Sequence, residues 1–385
     1  MDSYSLSVFI FFGILFFVIY RDRKNIEIHG LFLLRKTKIG VKILDKLSRP
    51  IWLWKFFGTV GIFVVLFLMF DGIISLIKYG KLLITGATKV PGLSFIFPST
   101  KPQVESGSGY ILIPFWFWLT IVISAPLPHE IFHGIMSRVE KIRIKTTGLL
   151  LLAFIPGAFI EPDEKDLKKS KLISKFRVLA AGSLGNFLVY LLIFYATSYV
   201  IWPYFVPGPI VIGEINMTGP ANQAGLKSGM IITEINGKPV SSTYKEFLSG
   251  LNFLSDETRG LSPGDTISLV ANGTRFNINL TANPENKTLP YLGIVYGPLI
   301  LSGGIPVVYL FQLLTWMWII NYTLSVFNVM PIYPLDGGLM VQAVAERISK
   351  KYANKITYAI TLIMLLLLAF NFFAPFLLKA LFPVS

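Results

Sequence analysis

The sequence predicts a multi-pass α-helical membrane protein of about six transmembrane helices, with a small soluble α+β domain inserted between the fourth and fifth helices. Hydrophobic residues make up 53% of the 385 residues and charged residues only 15%, with a mean hydropathy of +0.63. This composition excludes a disordered chain, a collagen and a coiled coil. The apolar residues also cluster into long runs, and one segment of about a hundred residues breaks that pattern.

Six apolar runs approach the length of about 20 residues that a helix needs to cross a bilayer. Several contain proline, which membrane helices tolerate when neighbouring groups satisfy the freed backbone. Each run is therefore expected to be one transmembrane helix. The runs lie near residues 4–20, 56–77, 111–134, 178–202, 305–334 and 356–382.

The distribution of basic residues predicts how these helices are oriented. Of the 35 Lys and Arg residues, 24 lie in the three segments 21–55, 135–177 and 335–355. The positive-inside rule places these segments in the cytoplasm, and both termini and the 203–304 insert outside. The net charge of +14 is thus expected to reflect membrane topology in a multi-pass protein of the cell membrane, with the lipid bilayer and not nucleic acid as its surroundings.

The insert has the pattern of a soluble domain. Strand-like runs at 210–215, 230–235, 267–271 and 276–280 alternate with turn residues, and 243–254 has helical spacing. Asn236-Gly237 and Asn272-Gly273 are typical of tight hairpin turns. A domain of about 90 residues outside the membrane is expected.

A shorter apolar run at 149–159 cannot span a bilayer, and Pro156-Gly157 interrupts it. Charged segments flank it on both sides. The run predicts either a re-entrant or interfacial hairpin, or an apolar patch packed beneath a loop.

The third apolar run contains the pattern H-E-x-x-H. On a helix His129 and His133 share one face, so that both imidazoles can bind one zinc ion, and Glu130 lies beside them as a candidate general base. Pro128 favours a helix that restarts there. The chain has no cysteine and only three histidines, and His29 is expected to be a solvated surface residue. The alternative for the pair is two buried, hydrogen-bonded histidines.

A catalytic zinc site takes three protein ligands, so one more is needed. Asp336 lies at the cytoplasmic end of the fifth run, and the histidines lie at the cytoplasmic end of the third, which puts them at the same membrane face. The alternative for Asp336 is a helix cap or turn residue before two glycines. Asp71 is expected at the opposite face.

With these motifs the chain resembles the site-2 protease family of intramembrane zinc metalloproteases. That family combines H-E-x-x-H in one span with N-x-x-P-x-x-x-L-D-G in a later one, and a small-residue stretch ending in Asn in the span between. The matching residues are His129, Glu130 and His133, then Gly182, Ser183, Leu184, Gly185 and Asn186, then Asn328, Pro331, Leu335, Asp336 and Gly337.

The resemblance implies a zinc metalloendopeptidase that cleaves membrane-anchored protein substrates within or near the bilayer. It implies one Zn²⁺ per chain held by His129, His133 and Asp336, with Glu130 as base. Asn186 and Asn328 would hydrogen-bond the substrate backbone or the tetrahedral oxygen; the alternative for each is a helix–helix hydrogen bond. The 149–159 run resembles the membrane-embedded β element of the family.

The insert resembles a PDZ domain of bacterial proteases, through Gly219-Pro220-Ala221 and the stretch to Gly229, followed by Ile235-Asn236-Gly237. The resemblance implies a possible peptide partner; the alternative is a domain that covers the active site without binding peptide. The implied organisation is an N-terminal pair of helices (1–110), a first part of the catalytic core (111–202), the PDZ-like domain (203–300), and a second part of the core with the last helix (301–385).

Two other classes of protein remain open from the residues alone. A membrane scaffold or receptor would have a structural or inactive metal site, although such a site need not keep its base. A transporter also places ionisable residues within the membrane, but it predicts paired half-helices in inverted repeats, which the sequence does not display.

Overall fold

The computed structural model describes residues 3–101, 104–152, 154–201, 210–216, 218–240, 261–283, 287, 290–298 and 304–381. It divides into two compact units, one of Met1–Phe194 with Leu313–Ser385, and one of Tyr195–Gln312. The second unit contains the predicted insert. The predicted helix at 243–254 lies outside the described residues.

Six helical segments are long and apolar enough to cross a membrane, which confirms the expected number. Two boundaries differ from the expectation. The third segment begins at Phe115 because the preceding residues form a strand, and the fifth ends at Asn328 because the chain turns before Pro331 and Pro334. The segments are Ser3–Asn25, Ile51–Ile84, Phe115–Val139, Leu172–Ile201, Leu310–Asn328 and Ala353–Leu378.

The helices of the first unit are numbered in chain order, and the two numbered α7 and α9 also extend beyond it. They are α1 (Ser3–Asp22), α2 (Ile39–Leu47), α3 (Ile51–Ile84), α4 (Phe115–Ser124), α5 (Pro126–Val139), α6 (Glu164–Lys169), α7 (Leu172–Ala196), α9 (Gly304–Asn328), α10 (Asp336–Ile348) and α11 (Ala353–Leu381).

The third membrane segment is two helices, because the chain breaks at Ala125 between α4 and α5. Pro126 and Pro128 have no backbone N–H, so two hydrogen bonds of a continuous helix cannot form, and Pro126 takes the first position of α5. The restart expected from the prolines is therefore present, two residues earlier than at Pro128. The break separates the purely apolar α4 from the helix that carries the H-E-x-x-H pattern.

A four-stranded antiparallel sheet packs beside these helices, in the order β1-β2-β6-β7. The 149–159 run does form a hairpin, from β6 to β7, and its tip residue Phe154 lies against Trp118 of α4, with ring centroids 5.7 Å apart. Its partner, the hairpin from β1 to β2, was not expected from the sequence. Strand β7 forms one edge of the sheet. The strands are β1 (Ile26–His29), β2 (Phe32–Thr37), β6 (Ile144–Leu152) and β7 (Ile155–Pro162).

The base of the β6–β7 hairpin is held by an ion pair. The Arg143 guanidinium donates to both carboxylate oxygens of Asp166, at 2.7 and 3.0 Å, and holds the pKa of that carboxyl below its usual value. Asp163 caps α6 by accepting from the backbone N–H groups of Lys165 and Asp166. These contacts fix the end of β7 relative to α6.

A second, three-stranded sheet precedes α4 and was not expected either. Its order is β3-β5-β4, with β3 parallel to β5. The strands are β3 (Phe95–Ser99), β4 (Glu105–Gly107) and β5 (Tyr110–Pro114).

A buried ion pair fastens α5 to α7. Arg177 Nη1 lies 2.8 Å from Glu140 Oε1, and the Glu140 side chain is only 6% exposed. Ser174 donates to the other carboxylate oxygen, and the remaining guanidinium nitrogens donate to Thr59 of α3. Every polar atom of the carboxylate is thus satisfied within the helices.

Replacing this arginine is expected to destabilise the protein. In Arg177→Met the Glu140 carboxylate stays buried without its cation, at a cost of about 3 kcal/mol. Unfolding of the purified protein in detergent measures the loss. Lys168→Met, which removes an exposed partner of Glu164, is the matched control and is expected to unfold as wild type does. Equal stability of the two variants would contradict the role of the buried pair.

The second unit is built on a sheet of order β12-β11-β9-β8-β15, with β10 paired to β9. The four strand runs expected from the sequence are β8, β9, β11 and β12. Asn236-Gly237 and Asn272-Gly273 form the expected tight turns, with φ values of +49° and +78°, and +48° and +77°. Its elements are β8 (Ile210–Ile215), α8 (Pro220–Gln223), β9 (Ile231–Ile235), β10 (Lys238–Pro239), β11 (Thr266–Ala271), β12 (Thr274–Asn279), β13 (Thr281–Ala282), β14 (Pro290–Tyr291) and β15 (Ile294–Pro298).

Candidate metal centre

Three side chains from two helices converge at the end of α5. His129 and His133 lie one turn apart on α5, and their Nε2 atoms are 3.1 Å from each other. Asp336, the first residue of α10, places Oδ2 at 3.1 Å from His133 Nε2 and 3.3 Å from His129 Nε2. The three side chains are only 12–13% exposed.

Two glycines let Asp336 reach the histidines. The loop after α9 folds back over the start of α10, so that a Cβ at Gly337 would overlap the backbone of Val329, and one at Gly338 would overlap the backbone of Ile332. Only glycine permits this approach. An acidic residue in the first turn also suits the positive end of the helix dipole.

The three ligand atoms fit a zinc ion. Atoms bound at 2.0–2.1 Å to a tetrahedral zinc lie about 3.3–3.4 Å from one another. The measured separations of 3.1–3.3 Å are close to this, and two imidazoles with one carboxylate form a ligand set that zinc uses. These residues could therefore hold one metal ion, and the ligand roles stay a prediction.

The surrounding groups orient the two imidazoles. His133 Nδ1 donates to the backbone carbonyl of Val178 at 2.7 Å, which leaves its Nε2 lone pair free for a metal. The Asn186 side-chain amide lies 3.5 Å from His129 Nδ1 and is fully buried, and its Oδ1 has no hydrogen-bond partner within the described chain. Turning this amide over would let Oδ1 accept from Nδ1–H.

Gly182 of α7 leaves the space that the imidazoles occupy. A Cβ there would lie 2.6 Å from His129 Cε1 and would overlap His133 Nε2. The helix backbone itself therefore forms the wall of the site.

Gly182→Ala is expected to weaken zinc binding by about 10- to 100-fold, because the methyl group displaces both imidazoles. Competition with a chromogenic chelator measures the affinity. Gly13→Ala is the matched control, since that helical glycine has no neighbour within 4 Å of an added Cβ. Unchanged affinity in Gly182→Ala would contradict the packing argument.

Glu130 is held by the edge strand of the four-stranded sheet. Its Oε2 accepts a hydrogen bond of 2.9 Å from the backbone N–H of Ile160 in β7. This N–H points away from β6, towards α5, and so it marks the open edge of β7. Sequence reasoning missed this contact and the Val178 carbonyl, because backbone groups have no residue-type signature.

The remaining candidates are placed as follows. Asn328 is the last residue of α9 and is half-buried, without a side-chain hydrogen bond in the part of the chain that the structure describes. His29 is exposed on β1, 3.5 Å from Glu27. Asp71 lies within α3, 3.5 Å from the Tyr322 hydroxyl. The substrate-binding roles of Asn186 and Asn328 stay predictions.

A buried two-histidine, one-carboxylate cluster, with a glutamate beside it on an apolar helix, is typical of a metal-dependent hydrolase built into membrane helices. The family model of peptidase family M50 matches residues 115–370, about two thirds of the chain, and includes every residue of the cluster. The chain belongs to peptidase family M50, which makes it a member of a family of zinc-dependent intramembrane metalloproteases.

Two relatives support this placement. The chain is 26% identical over 340 residues to the uncharacterized protein MJ0971 of Methanocaldococcus jannaschii, a match that covers 86% of this chain and 82% of that protein. It is 22% identical over 270 residues to the zinc metalloprotease RasP of Geobacillus kaustophilus, covering 55% of this chain and 62% of that protein.

Proposed function

We propose that this protein is a zinc metalloendopeptidase of the site-2 type, which cleaves membrane-anchored protein substrates within or near the bilayer. The observation that carries the proposal is the convergence of His129, His133 and Asp336 beside Glu130 at the end of an apolar helix. One zinc ion per chain, held by these three side chains, would supply Lewis-acid activation of a water molecule and of the scissile carbonyl.

The chain's own residues carry out the proton transfers. Glu130 accepts a proton from the attacking water and delivers it to the leaving amine. The Ile160 N–H fixes one carboxylate oxygen, so that the carboxylate keeps one orientation between the two transfers. The burial of Asn186 beside His129 supports a role in orienting that imidazole, whereas the half-buried Asn328 is the better candidate for contact with the substrate.

The open edge of β7 offers a place for the substrate chain. A transmembrane helix hides its carbonyls in its own hydrogen bonds, so the segment to be cut must unwind, and its backbone groups then need new partners within the bilayer. Addition of the unwound segment as a strand along β7 supplies them. That edge lies next to Glu130.

The topology and the second unit complete the proposal. The distribution of Lys and Arg supports a catalytic site towards the cytoplasm and a second unit outside the membrane. Its Gly219–Gly229 segment and tight turns support a PDZ-like domain that screens substrates, with a possible peptide partner.

A cleavage assay with two matched substrates tests the proposal. Purified protein in detergent is incubated with single-span proteins that differ only in whether the span contains Gly-Asn-Pro, which favours unwinding, or leucines. We expect cleavage of the first and about tenfold slower cleavage of the second, because unwinding a leucine span costs at least 1.4 kcal/mol more.

A zinc chelator is expected to stop cleavage, and added zinc to restore it. Cleavage that persists in excess chelator would contradict a metalloprotease. Equal cleavage of both spans would contradict strand addition while leaving the metal chemistry intact.

A further inference from the structure

An apolar groove lies between α1 and one face of the four-stranded sheet. Its volume is about 200 Å³. Several of the lining side chains are open to the surroundings, among them Val18 at 53% and Leu149 at 63% exposure. The apolar lining comes chiefly from Leu15, Val18 and Ile19 of α1 and from Leu33, Leu149 and Leu151 of the sheet.

One end of the groove is charged. Asp22 and Arg35 both line it and form an ion pair with each other. Beside them, Arg21, Arg23 and Lys24 are exposed, and within the described residues no carboxylate pairs with any of the three. Arg23 stacks over the ring of Tyr20, 4.2 Å from its centroid. The end of the first membrane segment thus carries three uncompensated positive charges at the mouth of an apolar groove.

We propose that this groove binds one acyl chain of an anionic phospholipid, whose phosphate lies at the Arg21–Lys24 turn. Arg23 and Lys24 stand in the chain between Asp22 and Ile26, which both line the groove, so headgroup and acyl chain are within reach of one molecule. The charge selects an anionic lipid over a zwitterionic one.

The size of the groove argues against a helix as the occupant. A helix with its side chains is about 10 Å across, so that a single turn fills about 400 Å³, twice the volume available. An extended hydrocarbon chain is narrow enough to enter. It also satisfies an apolar lining that offers hardly any hydrogen-bonding group.

The bound chain would support the hairpin next to the metal centre. Leu149, Leu151, Pro156 and Gly157 line the groove and belong to the hairpin from β6 to β7, whose strand β7 holds Glu130 through Ile160. Filling the groove packs hydrocarbon against the back of this hairpin and reduces its local opening.

Native mass spectrometry of protein exchanged into equal amounts of phosphatidylglycerol and phosphatidylcholine tests the site. We expect retention of one phosphatidylglycerol per chain, and at least a fivefold loss in Leu15→Trp, which fills the groove. Ile14→Trp is the control, since Ile14 is 58% exposed and does not line the groove. Equal retention in Leu15→Trp and wild type would overturn the proposal.

Charge variants provide a second test that leaves the apolar packing untouched. Arg23→Gln with Lys24→Gln is expected to abolish the preference for phosphatidylglycerol. Lys350→Gln with Lys351→Gln is the matched control, because it also removes two adjacent exposed basic residues, one of them over a tyrosine ring at 5.5 Å. The same lipid preference in both pairs would overturn the assignment of the headgroup site.

Hydrogen exchange reports whether the lipid reaches the hairpin. In wild type, amides of residues 149–157 are expected to exchange more slowly in phosphatidylglycerol nanodiscs than in phosphatidylcholine nanodiscs, and Leu15→Trp is expected to remove the difference. Identical exchange of wild type in the two lipids would contradict an acyl chain at this face.

Discussion

Glu130→Gln is expected to lower the rate of peptide-bond cleavage by about 10²- to 10⁴-fold, which is the usual contribution of a general base. The side-chain amide has nearly the shape of the carboxylate and can still accept the Ile160 N–H, so the fold is preserved. It cannot accept a proton from water at neutral pH. Initial rates with the Gly-Asn-Pro substrate, together with zinc content, measure the effect.

Glu161→Gln is the matched control for this variant. Glu161 is the next residue along β7 after Ile160, but its carboxylate pairs with Lys145 at 3.3 Å and is 45% exposed. We expect wild-type rates and zinc content from it. Normal turnover by Glu130→Gln would overturn the assignment of the base, whereas loss of activity in both variants would point to a general requirement for charge at β7.

The second large effect is expected on metal content. Wild type should contain one zinc per chain, and His133→Ala should bind zinc more than about 100-fold less tightly, since loss of a direct ligand exceeds the usual effect of losing an outer contact. Asp336→Ala should behave in the same way. Elemental analysis after dialysis against a weak chelator measures the stoichiometry.

The chain contains a built-in control, because His29 is its only other histidine. His29 is exposed on β1, and His29→Ala is expected to keep one zinc per chain. Wild-type zinc content in His133→Ala would contradict the ligand role. Loss of zinc in His29→Ala would indicate that the metal binds elsewhere.

Local patterns in the sequence were enough to predict the membrane segments and the convergence of His129, His133 and Asp336. An i, i+4 pair on a helix has one geometry, and the distribution of Lys and Arg placed Asp336 at the same membrane face as the histidines. The prediction worked because each signal depends on spacing along one element, or on a property summed over a whole segment.

Long-range pairing could not be predicted in the same way. The hairpin of residues 26–37 joins the 144–162 hairpin across more than a hundred residues, with Phe32 opposite Leu152 and Thr37 opposite Thr147. Strand partners of this kind have no local signature, and the charged residues of 21–55 indicated only a loop. The sheet, and with it the backbone group that holds Glu130, therefore emerges only from the tertiary structure.

The hydrogen bond from Ile160 to Glu130 makes the edge strand act as a ruler. A chain that pairs with β7 can shift along it only in steps of two residues if its side chains are to keep their faces. Ile160 is fixed to the base, so the bond presented to the water depends on strand register and not on the identity of one side chain. Substrates of unrelated sequence would then share a cutting position measured from where their helix begins to unwind.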